Sequence, residues 1–261
     1  MNPHNGNRFS VTQGLRLCPV AEHTLSAHVL FAKPVSTFAG HALLCRMATL
    51  DFFYDLASTY SYLAAIRIGP LAQAADVTVR WRPFLLGPIF KAQGYDTSPF
   101  NIHPLKGRNM VRDCERQCAE LGLPFRLPSP FPAMSLLAGR VATLGLTEGW
   151  GEDFSRAVYR AEFGEGLNIS EPAVMAAIVS SLGHDAEAAL ARAQSAEIKN
   201  ALRAATEEAE QLGIFGAPSF VTAGELFWGN DRLEQALSWA KSRAKRGSFI
   251  HTDRGTHDLS S

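Results

Sequence analysis

Apolar and polar positions alternate from Leu50 to Asp55, with Leu50, Phe52 and Tyr54 on one side and Asp51, Phe53 and Asp55 on the other. A period of two over such a run predicts a β-strand. The pattern then changes at once. Leu63, Ile66, Arg67 and Pro70 recur along one side of a helix expected over 59–74, with Ser58 at its start. Val77-Thr78-Val79-Arg80-Trp81 alternates again and is β-branched, so it predicts a second strand. Two strands around one helix form a βαβ unit with parallel pairing.

From 85 to 213 the signals are helical only. Helices are expected over 106–121, 132–144 (ending at Gly145) and 147–163. Another is expected to start at Ser170-Glu171-Pro172, where a capping hydroxyl precedes a first-turn proline. Ile198, Leu202, Ala205, Ala209 and Leu212 mark a long helix that Gly213 stops. Strands return at 218–222 and 225–228, joined by a tight Ala223-Gly224 turn. A last helix carries Leu233, Ala236, Leu237 and Ala240 on one face.

The order βαβ, helices, ββα predicts an α/β protein with a thioredoxin-like core and an inserted all-helical domain. The expected divisions are an extension over 1–46, a first core part over 47–84 and a helical insertion over 85–195. A second core part follows over 196–242, with a frayed polar tail over 243–261. Residues 1–46 hold a single acidic residue, Glu22, and no sustained pattern. Met47 stands just before the first strand, which predicts a loosely attached upstream extension.

Composition narrows the function classes. Lys and Arg total 25, as do Asp and Glu. That balance leaves no electrostatic footprint for nucleic acid or an anionic membrane. No apolar run approaches the ~20 residues of a membrane span. Four cysteines in 261 residues make no disulfide framework, which predicts a reducing, cytoplasmic setting.

The join after the first strand is where a thioredoxin-type fold carries its reactive Cys-x-x-Cys. Here it reads Ser58-Thr59-Tyr60-Ser61. Any sulfur chemistry must therefore borrow its sulfur from a cofactor. Gly216-Ala217-Pro218-Ser219 lies where such a fold places a cis-proline, with backbone groups free to bind an extended peptide. Asn230 and Asp231 sit at the start of the last helix. They can cap it, or its N–H groups can take a carboxylate while Asp231 meets an ammonium. Cys114 and Cys118 have no histidine at ligand spacing, so no metal site is expected. His103 and His184 stand isolated, and no glycine-rich phosphate loop is present.

A family resemblance rests on six pieces in order. They are Phe53-Tyr54-Asp55 through Ser61-Tyr62-Leu63, Trp81 to Gly87 with Phe90-Lys91-Ala92, Lys106 to Met110, Arg112-Asp113, Gly213 to Phe220, and Phe227 to Leu233. In these the chain resembles the family uniting 2-hydroxychromene-2-carboxylate isomerases and kappa-class glutathione transferases. The resemblance implies glutathione as cofactor, with Ser58 hydrogen-bonded to its sulfur and Lys106 near its glycyl carboxylate. It also implies that Ala217, before a cis-Pro218, offers backbone groups to the cysteinyl residue, and that Asn230 and Asp231 hold the γ-glutamyl end. Three positions depart from the family pattern: Thr59 replaces a proline, Tyr95 stands near a usual asparagine, and Asn168 replaces a frequent aspartate.

The implied reaction interconverts 2-hydroxychromene-2-carboxylate and trans-o-hydroxybenzylidenepyruvate by reversible thiolate addition, with a small aromatic substrate and a homodimeric assembly. Arg82, like Lys106, is a candidate to balance a carboxylate. A thiol of pKa ~8.5 is a few per cent thiolate at neutral pH. Lowering it to ~6.5 takes about 2.7 kcal/mol. A hydrogen bond to an anion supplies roughly 1.5–3 kcal/mol, and a helix N-terminus about 0.3–1 kcal/mol more. The alternatives are glutathione transfer or peroxide reduction by the same thiolate, a thioredoxin-fold oxidoreductase, or a glutathione-binding module without turnover.

Overall fold

The structure, a computed structural model, describes residues 47–249; the expected extension over 1–46 and the end of the tail lie outside the described residues. Strand β1 (Ala48–Tyr54) leads into helix α1 (Thr59–Ala75), which returns through Asp76 to strand β2 (Val77–Pro83). β1 and β2 pair in parallel, with Phe52 opposite Trp81. Strand β3 (Ser219–Thr222) pairs antiparallel with the other side of β1, placing Phe220 opposite Phe52. Strand β4 (Glu225–Trp228) closes the order β2-β1-β3-β4. Ala223 (φ 51°) and Gly224 (φ 79°) make the hairpin turn, whose left-handed backbone suits the strand twist.

Between β2 and β3 run α2 (Leu86–Ala92), α3 (Pro99–Ile102), α4 (Pro104–Glu120), α5 (Leu136–Glu148) and α6 (Gly151–Tyr159). A π turn (Arg160–Gly164) extends α6, and α7 (Pro172–Ser181), α8 (Ala186–Ala193) and α9 (Ala196–Gln211) follow. Helix α10 (Leu233–Phe249) ends the described chain.

The structure corrects several expected boundaries. The helix expected over 132–144 starts at Leu136, because Pro128, Pro130 and Pro132 keep the preceding segment out of helical geometry. Gly145 lies inside that helix, not at its end: a side chain there would come within 2.7 Å of the Trp150 ring. The stop is Gly149, at φ 87°. The run expected over 147–163 is therefore split. At the next start, the Ser170 hydroxyl donates to Asn168 Oδ1 at 2.7 Å and does not cap α7; Glu171 holds the cap position. The expected fray at Arg243 is helix through Phe249, with the Arg243 guanidinium 4.3 Å from the Trp239 ring centre.

One apolar core unites sheet and helices. Phe52 packs edge-on to Trp81 at 4.9 Å and stacks on Phe220 at 5.5 Å. Leu63 and Ile68 of α1 join it to Phe154, Tyr159, Phe163 and Met175 of the helical segment. Glu162 breaks the apolar pattern. It is fully buried in the π turn, and neither carboxyl oxygen has a hydrogen-bond partner. Burial, and then the negative charge of Asp55, hold its proton well above the usual carboxylate range.

An unfolded glutamate titrates near pH ~4.3. Above that the folded state binds the extra proton, so stability is lost as pH rises towards the raised folded value. Glu162→Gln removes this loss. Urea unfolding at stepped pH is expected to show the variant gaining on the wild type above pH ~5, by at most about 1.4 kcal/mol per pH unit. A pH-independent difference would contradict the burial of a titratable Glu162.

Candidate active site

The site forms where the C-terminal end of β1 meets the lead-in to β3. Asp55, Leu56 and Ala57 turn the chain after β1, and Ser58 takes extended backbone (φ −94°, ψ 117°) as the N-cap of α1. Its Oγ accepts from Ser61 N–H at 3.3 Å, meeting one of the free donors of the first turn. The same hydroxyl donates across the site to the Ala217 carbonyl at 3.0 Å. The Ala217–Pro218 peptide is cis, and among the described residues no hydrogen bond uses the Ala217 N–H. Ser58 and Ala217 thus face one another with a donor, an acceptor and an exchangeable hydroxyl.

They open into a cavity of about 720 Å³. Its walls are mostly apolar: Leu85 and Leu86, Phe90 of α2, Phe100 of α3, Phe131 and Met134 of the segment before α5, and Phe215 with Trp228. The Phe215 and Trp228 rings pack at 4.8 Å, and both are partly exposed at this wall. Polar groups are few. Lys106 and His103 of the α4 start stand on one side, Asp55 and Ser135 on another. Lys106 is exposed and has no hydrogen bond or ion pair among the described residues. Large apolar clefts with a few convergent polar groups are the usual form of a small-molecule site.

The structure brings together Ser58, Lys106 and Ala217 in this cavity, with Pro218 buried directly behind Ala217. Asn230 and Asp231 lie beyond its lining. Asn230 is buried, its Oδ1 accepting from Arg67 at 3.0 Å and its Nδ2 donating to Gln117 at 2.8 Å. Its side-chain amide thus already ties α1, α4 and the last helix together. Asp231 is exposed, 3.5 Å from Arg232. Among the described residues, the backbone N–H groups of both have no hydrogen-bond acceptor. Arg82 lies away from the cavity, paired with Glu208 and 5.6 Å from the Phe53 ring centre. Thr59 is buried and shares a hydrogen bond with the Cys114 thiol, whose burial pushes its pKa up to about 12. Tyr95 lines the cavity; Asn168 does not.

Among the described residues no cluster of metal-ligating side chains occurs, and no helix is long and apolar enough to cross a membrane. Sequence reasoning passed over His103 as isolated, and it missed Asp55 as a wall of the site. A Phe-Tyr-Asp ending on the strand that feeds Ser58 was the available signal for Asp55.

Comparison with known proteins identifies the fold's family. The family model of the DsbA-like thioredoxin domain matches residues 49–239. This chain belongs to the DsbA-like thioredoxin family. Relatives it resembles include 2-hydroxychromene-2-carboxylate isomerases and kappa-class glutathione transferases. It is 29% identical over 187 residues to 2-hydroxychromene-2-carboxylate isomerase of Sphingobium xenophagum, covering 71% of this chain and 94% of the relative. It is 26% identical over 200 residues to human glutathione S-transferase kappa 1, covering 71% and 88%. A solved 2-hydroxychromene-2-carboxylate isomerase superposes with TM-score 0.69 at 25% identity, covering 78% of this chain and all of that one. These relatives are named as isomerases and a glutathione transferase.

The Asn230 network carries a stability prediction. Asn230→Ala leaves the Arg67 and Gln117 groups without their partner, and chemical denaturation is expected to show a loss of about 2–3 kcal/mol. A loss under about 0.5 kcal/mol would show that the network is replaceable by water.

Proposed function

We propose that this protein is a glutathione-dependent isomerase. It interconverts 2-hydroxychromene-2-carboxylate and trans-o-hydroxybenzylidenepyruvate, or a related aromatic 2-oxo acid. The observation that carries the reading is the Ser58 hydroxyl at the N-terminus of α1. It faces the Ala217 backbone across an apolar cavity, in a site without a cysteine at 58 or 61.

The residues present fit glutathione. Its sulfur goes to Ser58, and its cysteinyl backbone to the N–H and carbonyl of Ala217, ahead of the cis-Pro218. Its glycyl carboxylate goes to Lys106. Its γ-glutamyl end goes to the free N–H groups and the exposed carboxylate at Asn230 and Asp231. For Asn230 the main chain is the available group, since its amide is engaged by Arg67 and Gln117. When bound, glutathione supplies a thiolate that adds reversibly to the enone and turns its double bond into a rotatable single bond.

The chain's own part is to favour an anion and exclude water. Ser58 exchanges its bond to the Ala217 carbonyl for one to the sulfur. That frees the carbonyl to accept the cysteinyl N–H, so neither group is left unpaired. The α1 N-terminus adds a positive end at the same place. Phe90, Phe100, Phe131 and Met134 offer a dry, aromatic-lined space for a planar acceptor. His103 and Lys106 are the polar groups on the α4 side where its carboxylate can lie.

Absorbance of the chromene and the benzylidenepyruvate is expected to show interconversion that requires both enzyme and glutathione. Ser58→Ala is expected to lower kcat/KM roughly 10- to 150-fold, the weight of one hydrogen bond to an anion. Unchanged activity in Ser58→Ala would sink the mechanism. Conjugation of an aryl halide with no action on the chromene would replace it with glutathione transfer.

A further inference from the structure

Two carboxyl groups behind Ser58 have no task in that reading. Asp55 is almost fully buried, yet it forms part of the cavity wall beside Ser58. Its Oδ1 accepts from Ala57 N–H at 2.9 Å and its Oδ2 from Leu86 N–H at 2.7 Å, with the Ser135 hydroxyl alongside. These donors fix the carboxylate in place without neutralising it. Glu162, from the π turn, lies near enough to feel its charge and has no partner for either oxygen. The Tyr159 phenol donates to the Asp55 backbone carbonyl at 3.0 Å, and Tyr54 is bonded to Ser155 at 2.8 Å. The cavity is also lined by His103, Lys106 and Tyr60, the last donating to Asp113 at 2.9 Å. No Lys, Arg or His of the described residues forms an ion pair with Asp55 or Glu162.

Burial makes Asp55 more basic than an ordinary aspartate, against the N–H donors and Ser135, which favour its charged form. Glu162 has no such donors, so of the two carboxyl groups Asp55 is the one whose surroundings favour a charge. A carboxylate of raised basicity on the wall of a cleft is suited to proton transfer.

We propose that Asp55 is the proton acceptor of this site: it takes the proton of a thiol bound at Ser58 and returns it on release. This rests on the glutathione reading above. The sulfur–hydrogen bond breaks with its electron pair left on sulfur, and the proton goes to an Asp55 oxygen. The net charge of the cavity is unchanged. One negative charge moves from a carboxylate to a sulfur facing the Ser58 hydroxyl and the α1 N-terminus. A second anion is never created beside Asp55 in an apolar cleft, where repulsion between like charges is strong.

The test is calorimetry of glutathione binding to the full chain near neutral pH, in buffers of different ionisation enthalpy. Ultraviolet absorbance of the bound thiolate is recorded alongside. The expected result is thiolate formation with close to no proton released to buffer, matching S-methylglutathione, which has no thiol proton. Release of about one proton per thiolate would overturn the proposal. Glu162→Gln is expected to keep the wild-type result; proton release in that variant would move the acceptor to Glu162 and also overturn it. Asp55→Asn is expected to form thiolate only with release of about one proton. Thiolate without release in Asp55→Asn would contradict the assignment, and the wild-type measurement stands if that variant does not fold. Failure of glutathione to bind, or binding without thiolate absorbance, would instead remove the glutathione reading and this inference with it.

Discussion

The hydrogen bond from Ser58 Oγ to the Ala217 carbonyl joins residues 159 positions apart, and the candidate site forms where these two segments are held face to face. The sheet register makes it possible. β1 is central, and its pairing with β3 sets Phe53 opposite Ser219, so the end of one strand meets the lead-in to the other. Phe52 and Phe220 stack beneath that junction and hold the register from inside the core. A one-residue slip would turn each strand's buried set outward, so packing fixes where Ser58 and Ala217 meet.

The helical segment does more than cover the sheet. Its residues supply most of the cavity wall, and its interior is continuous with the core of the sheet. Tyr159 hydrogen-bonds the Asp55 backbone, and Tyr54 reaches Ser155, so α6 is tied directly to the end of β1. The π turn that follows turns a carboxyl group into the core. A buried carboxyl without a donor destabilises a fold, and Asp55 of the cavity wall lies near enough to raise its proton affinity further.

The sheet and the Ser58 join were legible in the sequence because their signals are local. Alternation marks β1 and β2, a small hydroxyl residue marks the start of α1, and Ala223-Gly224 marks the hairpin. The segment from 121 to 135 was not legible, since its prolines and Phe131 gain meaning only when packed beside Phe100 and Phe163. Short α2, α3 and α8 carry too few turns for a period to show. Gly145 reads as a helix stop until Trp150 is seen lying against it. Asn230 reads as a cap or ligand residue because its partners, Arg67 and Gln117, come from distant helices. Glu162 sits in sequence like any solvent-facing glutamate, and only tertiary packing buries it.

On the proposed reading, this chain replaces a protein thiol with a seat for a borrowed one. The deciding measurement is a pH titration of the thiolate absorbance of glutathione bound to the wild type and to Ser58→Ala. The wild type is expected to hold thiolate one to two pH units below free glutathione, roughly the weight of a charged hydrogen bond and a helix end, and Ser58→Ala to return most of that shift. Identical titrations in the two proteins would contradict it.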